Sequence, residues 1–530
     1  MANTARSLPT NNALPNHTTK TLGETLSSRL SKELVIALSG PIGCGIKQIK
    51  HTLKEQLTSA GYNVIDIRIS DLMKSIITDC SSLKDLKSNL PTNSLDNYER
   101  ISKLQVLGNE LRDLFGSDIG AQLAVREIAV WRGNHSTQEE ADELAISQHT
   151  AFIIDQLKHP EESKLLSTVY KNIFYQIGIL TTETEKLKKL KDIDISRSKA
   201  IKLIEDDRHQ EIKSGQQLEK TLSFSDYFLS NTSKNLPTLK VNIDRFISLM
   251  HGVNGITPTK DEVGMYTAYS SSLRSACLSR QVGAAICDDD GNVLAVGRND
   301  VPKYSGGLYT IEDGENDHRC INHGSKCHNT EHINKLKNKI KNILEQEGNL
   351  EPAKSEELIK SIAENTPIGS LIEYSRAIHA EMDAITSLAR SIRCSSKDTT
   401  IFTTTFPCHN CARHIVAAGI KRVVFIEPYA KSLAIDLHGD SICWDEESDK
   451  KLHIDSFEGV APTKYQIFFL SKGKRKNSTG RAITIPVKDL NHIASDLVAK
   501  YTDTEKVVTE ILTKALEKDT QPLVNVSIHE

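Results

Sequence analysis

The chain of 530 residues is short of several things, and each shortage excludes something. Aromatic residues make up only 5% of it, with two tryptophans. A surface that stacks successive bases of a single strand needs more aromatic rings than that. Charge of one sign is also missing. The 66 basic and 69 acidic residues leave a formal net charge of −3, so no basic excess marks a polynucleotide as the main partner. No apolar run is long enough for a membrane-spanning helix. The opening stretch MANTARSLPTNNALPNHTTK has no apolar core of a secretory signal, and the expected location is cytoplasmic. No internal repeat occurs.

What is present suits a globular protein. Hydrophobic residues are 38% and charged residues 25%. The length suggests two large domains. Residues 1–30, rich in Asn, Thr and Ser, read as a mobile tail. Residues 31–255 form the first expected domain. Its strand 33–39 is followed by a glycine loop with Gly40, Gly43 and Gly45. Ile46, Ile49, Leu53 and Leu57 then recur at helical spacing, and 63–70 reads as a second strand. Strand, loop, helix, strand is a βαβ unit and implies a parallel sheet. A third strand is expected at 151–155, a further β-like run within 169–180, and charged helices across 181–220.

The second expected domain is 256–473, with 474–530 as a carboxyl-terminal extension holding a basic loop, a short strand and a final helix. The domain opens with a helix at 262–278. Strands at 281–287 and 292–297 flank the turn Asp289-Asp290-Gly291. Residues 312–370 interrupt this rhythm and read as an insertion. A helix starts at His379, a strand spans 400–404, a second helix opens at Pro407, and a strand follows at 422–426.

Eight of the ten cysteines lie at or after Cys277. In a reducing compartment such clustering favours metal ligation over disulfides. Cys80, Cys287 and Cys443 are expected to be ordinary small apolar residues. The decisive motifs are His379-Ala380-Glu381 and Pro407-Cys408-His409-Asn410-Cys411. Cys408 and Cys411 share one face at a helix start, where free N–H groups favour thiolate. His379 supplies an imidazole. Three protein ligands leave the fourth position of a tetrahedral zinc open, which is the mark of a catalytic site. Zinc lowers the pKa of water from near 16 toward roughly 7. Glu381, two residues beyond His379, is placed to move protons without ligating. H-x-E followed by P-C-x-x-C is the signature of zinc nucleobase deaminases.

Residues 262 to about 430 resemble the deoxycytidylate deaminase branch of the cytidine deaminase fold. The matching stretches are Ser275-Ala276-Cys277-Leu278-Ser279-Arg280-Gln281-Val282-Gly283-Ala284, Val296-Gly297-Arg298-Asn299-Asp300, the two zinc motifs, and Gly419-Ile420-Lys421-Arg422-Val423-Val424. The resemblance implies that Asn299 contacts the sugar of a nucleotide; its plain reading is a turn residue. Arg280 stands as either a phosphate contact or a structural arginine. In layout the whole chain is similar to the bacterial antiphage deoxycytidylate deaminases. That resemblance implies conversion of dCTP and dCMP to dUTP and dUMP, a drain on the pool phage replication needs, and an inhibitory small RNA. Deaminases of this fold usually assemble into homo-oligomers, and the charged helix at 331–345 is one candidate interface. The competing readings are a deaminase of tRNA or single-stranded DNA, and a nucleic-acid-binding regulator with an inactive deaminase fold. The intact Glu381 argues against the last. The one dense basic run, 472–476, reads as a solvated loop or an RNA contact.

The expected fold is therefore α/β: a P-loop kinase-like parallel sheet domain, then a cytidine deaminase-like αβα domain. A Walker A loop would read G-x-x-x-x-G-K-[ST]. Here Ile46 stands in the lysine place, Lys47 is one position late, and no hydroxyl for magnesium follows. The glycines still offer N–H groups to a phosphate, and Asp155 suits the second magnesium position. The expected domain is kinase-like and poor or inactive as a kinase, with a nucleotide-sensing or a structural role. Within the insertion, His318, Cys320, Cys327 and His328 are candidate ligands of a second, closed zinc, or polar loop residues facing water.

Overall fold

The computed structural model describes residues 31–517 apart from 81–82, 93–94, 136–148, 209–214, 347, 349, 367, 369–370, 392–394, 430–431, 445–449, 472–473, 491–492 and 494–497. The expected tail at 1–30 lies outside the described residues, as do Lys472 and Gly473 of the basic run.

Leu34–Ser39 (β1), Asn63–Arg68 (β2), Thr150–Asp155 (β3), Phe174–Leu180 (β4) and Tyr227–Ser230 (β5) run parallel in the order β2-β3-β1-β4-β5. The main helices of this unit are Ile46–Ser59 (α1), Ile69–Asp79 (α2), Asn97–Phe115 (α3), Ile119–His135 (α4), Pro160–Tyr170 (α5), Glu183–Lys191 (α6), Arg197–Arg208 (α7), Leu218–Leu222 (α8) and Leu239–Met250 (α9). Every residue of β1, β3 and β4 is buried, as a parallel sheet covered on both faces requires. Leu34, Ile36 and Leu38 face α1 and α9 through Ile49, Leu53, Ile243 and Phe246. Val35 and Ala37 face the other way, toward a core with Ile77 of α2, Leu123 of α4 and Leu166 of α5.

Two later segments complete this unit, so the chain crosses both boundaries expected near 255 and 473. Gly459–Val460 (β12) pairs antiparallel with β5, covering an edge that would otherwise leave backbone groups bare. The long helix Val498–Glu517 lays Tyr501 and Leu512 into the core beside α4 and α5. The extension is thus a structural part of the first unit.

The second unit holds Gly283–Cys287 (β6), Val293–Arg298 (β7), Thr400–Thr405 (β8), Arg422–Glu427 (β9), Ile442–Trp444 (β10) and Leu452–Ser456 (β11). Their order is β7-β6-β8-β9-β11-β10, antiparallel from β7 to β8 and parallel beyond. Lys260–Ser272 (α10) covers one face, with Met265 and Ala268 against Phe402 and Val424. The insertion supplies His328–Gln346 (α11) and Pro352–Asn365 (α12). Ala380–Ala389 (α13) and His409–Ala417 (α14) cover the other face, with Ala384 and Ile415 against Ile401 and Val423. We number the terminal helix Val498–Glu517 α15. Helix α10 stops at Ser272, short of the expected 278. The following turn is tied instead to the end of β7, where Ser275 Oγ donates to the Asn299 carbonyl and the Ala276 N–H to Asp300.

The units share a core of Leu180, Leu222 and Phe228 with Phe402 and Phe457. Arg245 of α9 grips the buried Glu262 of α10 with two hydrogen bonds of 2.8 and 2.7 Å, and Val460 N–H donates to the same carboxylate at 2.8 Å.

Candidate metal centre and substrate pocket

Strand β7 and helix α13 pack so closely that Gly297 is obligatory. A Cβ there would collide with the backbone of Ala380 and Ala384. This contact sets His379 at the N-cap of α13, with extended backbone at φ −78° and ψ 154°. Strand β8 runs out into Phe406 and Pro407 and delivers Cys408 as the N-cap of α14. Its sulfur accepts from the Cys411 N–H at 3.5 Å.

His379 Nδ1 lies 3.4 Å from Cys408 Sγ and 3.3 Å from Cys411 Sγ. Zn–N and Zn–S bonds in a tetrahedron place nitrogen and sulfur about 3.5 Å apart, so the donor set fits zinc. Among the described residues these three form the one group of His, Cys, Asp or Glu whose ligand atoms gather within 4.8 Å. The Cys408 thiol is lowered to about 4, because Cys411 hydrogen-bonds to it and His379 lies beside it. That favours the thiolate a metal needs. Glu381, in the first turn of α13, is 4% exposed. Burial pushes its carboxyl up, and the nearby His379 offsets part of this.

The centre opens into a pocket of about 180 Å³ whose lining includes His379, Glu381, Cys408, Asn299 and Arg280. The profile of the family described as "Cytidine and deoxycytidylate deaminase zinc-binding region" matches residues 258–427. The deoxycytidylate deaminase of Enterobacteria phage T4 is 29% identical over 171 residues, 31% of this chain and 76% of the phage protein. That of phage T2 is 30% identical over 168 residues, 31% of this chain and 78% of the phage protein. The chain belongs to the deoxycytidylate deaminase family. The solved dCMP deaminase of the cyanophage S-TIM5 is 18% identical in its apo form and 20% in its complex with dCMP and dUMP. These structures cover 38% of this chain and 100% of that one, with TM-scores of 0.21 and 0.22.

Around the metal centre of this deaminase, other residues foreseen from sequence take definite places. Asn299 lines the pocket and uses its side chain as a clamp. Its Oδ1 accepts from Val282 N–H and its Nδ2 donates to the Arg280 carbonyl, both at 2.7 Å. Arg280 sits at the pocket mouth, half-exposed, and pairs with Glu427 at 2.7 Å. Glu427 also accepts from Thr405 Oγ1 at 3.3 Å. An Asn299→Ala variant is expected to fold and lose roughly tenfold in kcat/KM as the 280–282 segment loosens, a change of about 1.4 kcal/mol. Steady-state kinetics beside a thermal melt checks this, and wild-type kinetics would remove the clamp from the site.

Sequence reasoning missed Phe406, Tyr429 and Asn329, which also line the pocket. Phe406, directly before the Pro-Cys motif, carried a positional signal. Asn329 belongs to the insertion, whose α11 helps wall the pocket, and its Nδ2 donates to the Leu371 carbonyl. Among the described residues, His318, Cys320, Cys327 and His328 form no group whose ligand atoms lie within 4.8 Å of one another. His318, His323 and His328 are strung out, with successive ring centroids 6.0 and 5.9 Å apart. Cys327 faces Ser279 at 3.6 Å. Cys287 and Cys443 are buried as expected, and Cys80 is partly buried.

In the first unit, β1 connects toward β2 and β3 connects across to β4. The crevice at the carboxyl ends of β1 and β3 is therefore the topological switch point, where open α/β sheets hold ligands. The glycine loop and Asp155 stand there. Gly43 and Gly45 have φ of 78° and 75°, a region only glycine enters freely. Lys47 is exposed. Lys50, one helical turn on, reaches Asp155 at 2.9 Å and Asp66 at 3.1 Å.

Proposed function

We propose that the protein hydrolyses the 4-amino group of a free deoxycytidine nucleotide, dCMP or dCTP, releasing ammonia and the deoxyuridine nucleotide. The observation that carries this is the convergence of His379, Cys408 and Cys411 on one point beside the buried Glu381. His379, Cys408 and Cys411 would hold the zinc, whose chemistry is to make water a nucleophile at neutral pH. Glu381 takes the proton from the attacking water and delivers protons to ring N3 and to the departing amine. Its dry surroundings keep that proton from exchanging with bulk solvent. Asn299 holds the 280–282 segment against the sugar, and Arg280 faces the phosphate side of the pocket.

The balanced charge supports a free nucleotide over a polymer, and Lys474, Arg475 and Lys476 are exposed. Draining deoxycytidine nucleotides would act against the replication of an invading phage, with a small RNA as inhibitor and a homo-oligomer as the working form. These readings rest on resemblance. In the first unit, the glycine loop with Gly40, Gly43 and Gly45 is the part that would meet a phosphate.

Purified protein incubated with dCMP, dCTP, CTP and single-stranded DNA is expected to form uracil product from the free deoxynucleotides alone. Uracil in the DNA strand, with none from free nucleotide, would replace this reading. Metal analysis is expected to return one zinc per chain, lost in Cys411→Ala. Two would assign the second to the insertion, with His318, Cys320, Cys327 and His328 as its ligands.

A further inference from the structure

The two units enclose a cleft of about 570 Å³, larger than the pocket at the metal centre. On the first unit it is lined by Pro41 of the glycine loop, Lys186 of α6, Asp207 and Arg208 at the end of α7, and Glu219 of α8. The opposite wall, from the deaminase unit, is aromatic. Phe406 lies 5.0 Å from Phe425 and 5.6 Å from Trp444, centroid to centroid. Phe406 and Tyr429 also line the substrate pocket, so one set of rings borders both spaces.

The glycine loop already holds an anion, and the chain supplies it. Ile42 N–H donates to Asp207 Oδ2 at 2.6 Å, and the carboxylate is 1% exposed. Lys158 pairs with the other Asp207 oxygen at 2.7 Å and donates to the Gly40 carbonyl at 2.9 Å. Loop N–H, half-buried lysine and anion are the elements of a phosphate cradle, here closed by an internal carboxylate. Beside it, the ammonium of the half-buried Lys186 has no hydrogen bond or ion pair among the described residues. Burial and the neighbouring Arg208 hold its pKa down, against a partial offset from Glu183 and Asp207. Glu219 lies 3.7 Å from Arg208 and has a buried carboxyl oxygen without a hydrogen-bond partner. A desolvated cation without a partner is a cost that a bound anion removes.

We propose that this cleft binds a nucleoside polyphosphate, its phosphate displacing Asp207 from Ile42 and pairing with Lys186, its ring lying on the Phe425–Trp444 wall. The volume falls within the range of small-molecule sites. The inference deepens the glycine-loop reading above and is independent of the deamination reaction. Tyr429 borders both spaces.

The test uses ATP, which has no cytosine amine, titrated into the full zinc-loaded chain while Trp444 fluorescence is followed. Saturable quenching is expected, unaffected by saturating dUMP. D207N is expected to bind ATP about tenfold more tightly and K186A about tenfold more weakly, the scale of one charged hydrogen bond. Pyrophosphate should bind more weakly than ATP; equal affinity would overturn the part assigned to the aromatic wall. Absence of saturable binding in both wild type and D207N overturns the site, as does displacement of ATP by dUMP. Should D207N not fold, amide exchange over residues 40–45 of the wild type decides: slowing by ATP supports the proposal, and unchanged exchange refutes it.

Discussion

Glu381→Ala is expected to lower kcat for deamination by on the order of 10³-fold while leaving zinc in place. Glu381 is buried beside the metal ligands and is not one of them, since His379, Cys408 and Cys411 already supply the three protein donors. Removing it takes away the group that accepts the proton of water and returns protons to N3 and the amine. It takes away nothing that grips the metal. Glu381→Gln keeps the shape and one hydrogen-bonding oxygen, so it should fall nearly as far. Single-turnover rates measured beside zinc content separate chemistry from metal loss. Full activity in either variant would refute the proton-transfer role, and lost zinc would show that Glu381 supports the ligands instead.

The second large effect is expected far from the active site. Arg132 of α4 is clamped between two buried carboxylates, Glu33 before β1 and Glu505 of α15. Tyr501 donates to Glu33 at 2.9 Å and accepts from Ser31 Oγ at 2.7 Å. Arg132→Ala would leave two buried negative charges without their cation, at a cost of about 3–5 kcal/mol. Burial already pushes the Glu505 carboxyl up even with Arg132 beside it. Guanidinium titration followed by far-ultraviolet circular dichroism should show the loss as an earlier transition. Replacing Glu33, Arg132 and Glu505 together by apolar residues of similar size should restore most of the stability. An unchanged midpoint for Arg132→Ala would mean that α15 contributes little to this core.

The metal centre was legible because its signals are local. His379 and Cys408 both sit where a strand or loop end meets the first turn of a helix. Spacing along the chain therefore translates directly into proximity. The strands β1 and β3 were equally plain, as apolar runs, whereas β4, with Gln176 inside it, showed only as a β-like run within 169–180. What escaped is set by distant packing. Two residues, Gly459 and Val460, are too few to show a period, yet they complete the first sheet. The amphipathic α15 announced a helix but not its destination, since an apolar stripe does not say which face it will cover. The lysine at the glycine loop followed the same rule. Lys47 was the nearest in sequence, whereas Lys158 and Lys50 arrive from a later loop and from one turn along α1. The insertion's Cys and His residues had suitable chemistry but are spread over a loop and the start of α11.

The closure of the first sheet by β12 and of its core by α15 bears on the order of synthesis. Domains commonly fold as they leave the ribosome, first made and first folded. Here the half made first stays unfinished until the half made second has been threaded through translation, so the enzymatic half can mature while its partner still waits for its last strand and helix. A nonsense codon between the metal ligands and α15 would therefore strip the last strand and helix from the opposite end of the molecule.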